Sequence, residues 1–384
     1  MKNKKLFLAF IPLMMTFFTM GFVDIVGIAT NYVKVDFGLS DTVANLLPLT
    51  VFLWFLVLSI PAAALMNRFG RKNIVIASVV ITFASMLIPI FDYSLSLMLI
   101  AFGLLGIGNA LMQVSLNPLL SNILPTNRLA ASLTLGQFFK GLASFAAPIV
   151  AVWAATFFGS WLMIFPFLAF ITLTPTVWLL FTDIEESLDE GRNNSILDSF
   201  RLFRNATVLL CFIAIIMHVG TDVGINTTAP KLMMERLGLP LEQASFATSF
   251  YFLARTIGCL MGSFVLSHVS ARKVFLVSVL CVLGGLVGLW ISNSGVLLFG
   301  SLVLVGLGNS NLFAIIFSEA LNEESDRRNE VSGLMIMGLT GGAIFPLLMG
   351  VASDATDSQA GAIGVLFICA AYLLLLTPRI RKHL

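Results

Sequence analysis

The chain has 384 residues, 58% of them hydrophobic and only 11% charged, with a mean hydropathy of +0.98. A soluble domain carries roughly 25% charged residues, so this composition excludes a soluble enzyme and describes an integral membrane protein. The formal net charge of +2 carries no message by itself, because the placement of the charges matters more than their sum.

Apolar runs of bilayer-crossing length, about 20 residues each, alternate with short charged punctuation from end to end. They predict twelve spans at residues 6–33, 43–66, 73–92, 95–124, 128–156, 161–182, 206–235, 242–268, 273–292, 295–322, 329–354 and 360–379. The first run is too long for the core of a signal peptide and lacks a small-residue cleavage site, so it reads as a span. The one sizeable polar stretch, 183–205, is read as a cytoplasmic linker between an N-terminal half, 1–182, and a C-terminal half, 206–384.

Basic residues between the spans fix the expected orientation. Of the 22 Lys and Arg, 17 fall in the N-terminal segment, in even-numbered inter-span loops and in the C-terminal segment, among them Arg68, Arg71, Lys72, Arg272 and Lys273. The positive-inside rule then puts both termini in the cytoplasm. The basic loops after the second and eighth spans are read as orientation signals and conformational latches. The four cysteines (Cys211, Cys259, Cys281, Cys369) lie singly in different spans and read as packing residues.

The halves repeat each other in parallel register. Arg71-Lys72 recurs as Arg272-Lys273, Gly106-Ile107-Gly108-Asn109 as Gly306-Leu307-Gly308-Asn309, and Asp24 as Asp222, with offsets of 201, 200 and 198. Two six-helix halves so related place a substrate site near the midplane where they meet.

Four charges fall mid-span: Asp24, Lys140, Asp222 and Arg255. Each costs about 2.5–3.5 kcal/mol at a helix centre facing lipid, which predicts that they share a polar cavity. Helical spacing groups polar neighbours with them. Asp24 shares a face with Asn31; Asn109, Gln113 and Asn117 form a stripe on the fourth span; Gln137 lies beside Lys140. His218, Asp222 and Asn226 form a stripe on the seventh span, Tyr251 shares a face with Arg255, and Asn309 repeats Asn109. These are the candidate substrate-binding or ion-coupling residues, with interhelical hydrogen bonding as the competing role for the amides and two static ion pairs as the competing role for the charges. Lys34, Lys231, Glu235 and Arg236 lie toward the span ends, where long side chains reach the interface. No His- or Cys-rich ligand cluster, phosphate-cradling glycine loop or nucleophile elbow occurs, so no metal, cofactor or enzymatic activity is expected.

Several segments carry a family resemblance. Ala62 to Lys72, reading AAALMNRFGRK, is similar to the loop after the second span in the major facilitator superfamily. Gly306 to Phe313 with Phe317-Ser318, Ser332-Gly333-Leu334 with Gly341 to Pro346, Gln113 with Asn117-Pro118, and Gln137 with Lys140 resemble the fucose:proton symporter branch. The resemblance implies an all-α, twelve-helix transporter of two pseudo-symmetric halves, a monomer in the bacterial inner membrane. It implies import of a sugar or sugar derivative, coupled to protons or sodium ions, by alternating access. It also marks departures, with Gln113 where the branch has a glutamate, Lys140 where it has an asparagine, and Cys259 where an arginine is usual while Arg255 lies one turn earlier. Those leave open a carrier of an acidic sugar or another organic anion, a drug/proton antiporter, and a membrane-embedded sensor that no longer transports.

Overall fold

The computed structural model describes residues 2–123, 126–182, 184, 200–266, 269–324 and 327–380. Most of the expected linker, at 183 and 185–199, lies outside the described residues. Among those described, the chain is helical and without strands, and twelve helices are long and apolar enough to cross a membrane.

Spans 1 to 6 are Phe10–Phe37, Asp41–Ala62, Arg71–Phe91, Leu95–Leu116, Gly136–Phe158 and Trp161–Leu180. Spans 7 to 12 are Ala206–Leu237, Leu241–Leu266, Ala271–Ile291, Gly295–Ala320, Gly333–Thr356 and Gln359–Arg379. The expected spans match these within a few residues, and where spans 4 and 5 are shorter than expected, the helices that contain them, Leu95–Ile123 and Thr126–Phe158, agree with the expected 95–124 and 128–156. Such large apolar side chains as Phe91, Phe157, Phe170, Phe181, Phe264 and Leu375 face outward. An apolar exterior of this kind suits a hydrocarbon solvent.

Packing repeats between the halves. Span 2 packs on span 4 and span 3 on spans 4 and 6; correspondingly span 8 packs on span 10 and span 9 on spans 10 and 12. Span 1 meets spans 5 and 6 as span 7 meets spans 11 and 12. The contacts across the halves obey the same relation: span 2 lies against span 11, span 5 against span 8, and span 1 against span 7. The 200-residue repeat in the sequence is therefore a repeat of contacts in space.

Two of the innermost helices are not continuous α-helix. Span 1 tightens to a 3₁₀ turn at Gly21–Asp24 before resuming as Ile25–Phe37, and span 11 does so at Gly338–Thr340. Gly21 lets this turn pack closely on span 5: a Cβ at this position would overlap the carbonyl of Lys140 and the side chain of Ala143. The bend thus sets Asp24 directly against span 5.

Candidate functional site

The two symmetry-related aspartates have unequal surroundings. Asp222, on span 7, is held from three sides. Tyr251 donates its hydroxyl to Oδ1 at 2.5 Å, and Asn309 donates its amide to the same oxygen at 3.3 Å. Arg255 pairs through Nη1 with Oδ2 at 3.0 Å. Asn309 also donates to the Tyr251 oxygen at 2.9 Å, and its own Oδ1 lies 2.9 Å from Nδ1 of His218. With its amide nitrogen spent on the acid and the phenol, Asn309 presents an acceptor to His218, which assigns the proton to Nδ1 of that ring. Spans 7, 8 and 10 are thereby tied into one buried network whose members fix one another's orientation.

Asp24, on span 1, accepts the hydroxyl of Ser144 at 2.5 Å, and no lysine or arginine lies within ion-pairing distance of it among the described residues. Lys140, one helical turn before Ser144, feels the charge of Asp24, Asp222 and Arg255. Of the two static ion pairs weighed as the competing role for these charges, one is present, and it lies within the C-terminal half. Arg255–Asp222 forms, while Lys140 and Asp24 share a site without touching. Gln137, a turn earlier on span 5, is exposed, Lys140 is half-buried, and Gln113 is half-buried. The most exposed of the three, Gln137, lies at the start of span 5, toward the end of the bundle that carries the chain termini.

The other amides have other work. Asn109, the repeat mate of Asn309, donates to the carbonyl of Met20 at 2.8 Å and accepts from Gln113 at 3.0 Å. Met20 immediately precedes the 3₁₀ turn, so Asn109 ties span 4 to span 1 at the turn that carries Asp24. Asn226 donates to the carbonyl of Asp24 at 2.9 Å and binds span 7 to span 1 across the halves. Asn31 donates to Gly27 of its own helix and borders a second, distal cavity. The side chain of Asn117 lies outside the described residues. Of the basic loop residues, Arg68 is exposed with its guanidinium over the Phe69 ring, Arg71 and Lys72 open span 3, and Lys273 is exposed. Arg272 donates to the carbonyl of Ile380 at 2.6 Å, anchoring the segment after span 12.

At the opposite, distal end the expectation from the sequence needs correction. Lys231 does not reach the interface. It is buried and pairs with Asp41 of span 2 at 2.7 Å, across the halves, while Lys34 pairs with the same oxygen at 2.8 Å. The other oxygen of Asp41 accepts from Ser353 at 3.0 Å and Gln359 at 2.8 Å. Asp354 takes the backbone amides of Asp41 and Thr42, both at 2.9 Å, so a carboxylate from span 11 caps the first turn of span 2. Glu235 likewise accepts from Ser358 and from the backbone amide of Gln359 at the start of span 12. These groups join the two halves at the distal end and line a cavity of about 330 Å³ that is partly open to the outside. A lysine inside the apolar run of span 7 was the available signal, since a buried ammonium needs a partner, and Asp41 at the head of a span was the partner to look for.

The comparisons agree with this architecture. The model of the Major Facilitator Superfamily matches residues 12–378. A glucose/galactose transporter of Brucella abortus is 24% identical over 395 residues, covering 95% of this chain and 92% of that protein. The crystal structure of the E. coli fucose:proton symporter superposes with a TM-score of 0.71 at 17% identity, covering 97% of this chain and 98% of the other. That of a D-xylose-proton symporter gives 0.79 at 12% identity, covering 98% of each. With a repeat of contacts between two six-helix halves, a charged cluster where they meet and a family match over nearly its whole length, the chain is a multi-pass membrane transporter that belongs to the Major Facilitator Superfamily.

Proposed function

We propose that the protein imports a sugar or sugar derivative across the bacterial inner membrane, coupled to protons, as a monomer working by alternating access of its halves 1–182 and 206–384. The observation that carries the coupling is the inequality of the two aspartates. Asp222 is committed to Arg255, Tyr251 and Asn309, whereas Asp24 holds one hydroxyl and no ion-pair partner among the described residues. A carboxylate that can trade a proton without dismantling a network is the better carrier of the coupling ion. A ligand drives a conformational step only by its differential affinity for the two states, and a proton on Asp24 changes the charge at the point where spans 1, 5 and 7 meet.

The sugar class is supported by the substrates named for the similar transporters: glucose and galactose, fucose, and xylose. With the termini taken as cytoplasmic, the distal cluster around Asp41 is the outer gate, closed here, and the exposed side of the central cluster opens inward. The test is accumulation in proteoliposomes carrying the full chain. An imposed inward pH gradient should drive accumulation of a sugar, a sodium gradient alone should not, and accumulation under sodium alone would refute the proton assignment.

A further inference from the structure

The central cluster contains more hydrogen-bond donors than it can place. Arg255 gives Nη1 to Asp222, but its buried Nε has no acceptor among the described residues. Lys140 brings an ammonium with three donors, and no carboxylate lies within ion-pairing distance of it among the described residues. The charged and titratable groups that face it are Asp24, Asp222, Arg255 and Cys259. Asp222 is already charge-paired with Arg255 and accepts from Tyr251 and Asn309. Only Asp24 is left to balance Lys140, and it does so at a distance.

Protonation of Asp24 upsets that balance. In the empty protein, two acids and two bases make the cluster neutral. A proton on Asp24 removes one negative charge and leaves Lys140 without a counter-charge inside the bundle, which is unfavourable for a compact, well-hydrated ammonium in any state that closes the half-buried site to water. An anion arriving with the proton restores neutrality. A neutral sugar would supply acceptor oxygens and leave the charge unbalanced.

Resting on the proton-coupled reading, we infer that the substrate is a sugar acid whose carboxylate is received by Lys140 and that it crosses with one proton on Asp24. The loaded and empty clusters are then equally neutral, and the two ligands bind cooperatively because each removes the electrostatic cost of the other. Transport of a monoanion with one proton moves no net charge. It responds to a pH gradient and is indifferent to membrane potential, whereas a neutral sugar with one proton responds to both.

The full chain in proteoliposomes distinguishes these cases, with glucuronate and galacturonate as acidic probes and glucose and galactose as their neutral counterparts. Expected is pH-driven accumulation of a hexuronate at a rate unchanged by a potassium-valinomycin potential. Lys140→Asn should raise its KM about 10- to 100-fold, the range that one charge-assisted hydrogen bond supplies. Lys140→Arg, which keeps the charge, should stay within a few-fold of the parent. Should Lys140→Asn fail to fold, thermal stabilisation of the purified parent by hexuronate and not by hexose carries the same information. The inference is overturned if a neutral hexose accumulates, its transport responds to potential, and no hexuronate competes with it. It is also overturned if hexuronate uptake survives Lys140→Asn with its KM unchanged. Absence of proton-driven accumulation for all four sugars would instead overturn the proton-coupled reading, and this inference with it.

Discussion

Lys231 of span 7 and Asp41 of span 2 meet at 2.7 Å across the two halves, with both side chains only 6% exposed. Neither charge can be left alone there. Removing one partner of a buried pair typically costs about 3–5 kcal/mol, because the survivor stays desolvated without compensation. In a two-state carrier that cost falls on the state in which the distal end is closed, since opening returns both groups to water.

Lys231→Ala should therefore shift the population toward the distal-open state. A cysteine placed at Asn31, which borders the distal cavity and is 1% exposed, would report it by reaction with a membrane-impermeant maleimide. Labelling should be slow in the parent background and about tenfold faster or more with Lys231→Ala, since 1.4 kcal/mol already shifts an equilibrium about tenfold. Equal rates would show that Lys34 and the hydrogen bonds of Ser353 and Gln359 hold the gate without Lys231.

A second contact across the halves lies deeper, where a Cβ added at Gly27 would overlap the carboxamide of Asn226. Gly27→Ala should force spans 1 and 7 apart, break the hydrogen bond from Asn226 to the Asp24 carbonyl and lower both melting temperature and transport. Asn226→Ala in the same chain makes room for the methyl group, so the double variant should be more stable than the sum of the singles implies. Residues in contact commonly show coupling of about 0.5–3 kcal/mol, and effects additive within about 0.3 kcal/mol would contradict the steric account.

Much of the architecture was legible from the sequence because bilayer insertion imposes so plain a rule. Each apolar run of sufficient length is a helix, and the spans, the repeat and the family resemblance rest on run lengths and offsets. The pairing of Asp222 with Arg255 and Tyr251 was within reach of helical spacing, since all three lie mid-span on inward faces. The illegible part depends on where a helix departs from regularity. The 3₁₀ turn at Gly21–Asp24 interrupts the regular phase of span 1, and beside it Asn109 serves the Met20 carbonyl while its repeat mate Asn309 serves Asp222. A stripe drawn on an ideal helix treats those two asparagines as equivalent. The gate was missed for a different reason: Lys231 and Asp41 are 190 residues apart in the sequence, and no periodicity connects them.

The divergence of the two asparagines can be measured. Asn309→Ala removes donors from Asp222 and Tyr251 and an acceptor from His218, and each buried group left unsatisfied costs about 1–3 kcal/mol. It should raise KM for the transported sugar about tenfold by releasing Arg255 and Tyr251 from their fixed positions. Asn109→Ala removes the tie between spans 4 and 1 and should act chiefly on melting temperature, with KM changed only a few-fold. The same change in KM for both would mean that the pseudo-symmetric positions still share one role.

The unequal aspartates should respond unequally to the same substitution. Asp24→Asn keeps a hydrogen-bond acceptor for Ser144, removes the proton site and mimics the protonated acid. Lys140 is half-buried and outside ion-pairing distance of Asp24, so the change strands no buried ion, and the protein should fold, bind sugar and catalyse counterflow exchange between equal pools. It should not accumulate sugar against a gradient, because nothing links the rocking step to the proton any longer. Asp222→Asn instead leaves Arg255 as an uncompensated cation beside Tyr251 and Asn309, and a buried charge that loses its partner destabilises the fold and the site together. Exchange as well as accumulation should fall, and Arg255→Gln in the same chain should recover part of the lost stability. The two acids are thus separable by a ratio: exchange over accumulation should rise sharply with Asp24→Asn and stay near the parent value with Asp222→Asn, whatever remains of the absolute rates. A reversal of that pattern would assign coupling to Asp222 and make Asp24 the structural acid. Full accumulation in both variants would place the coupling ion on neither.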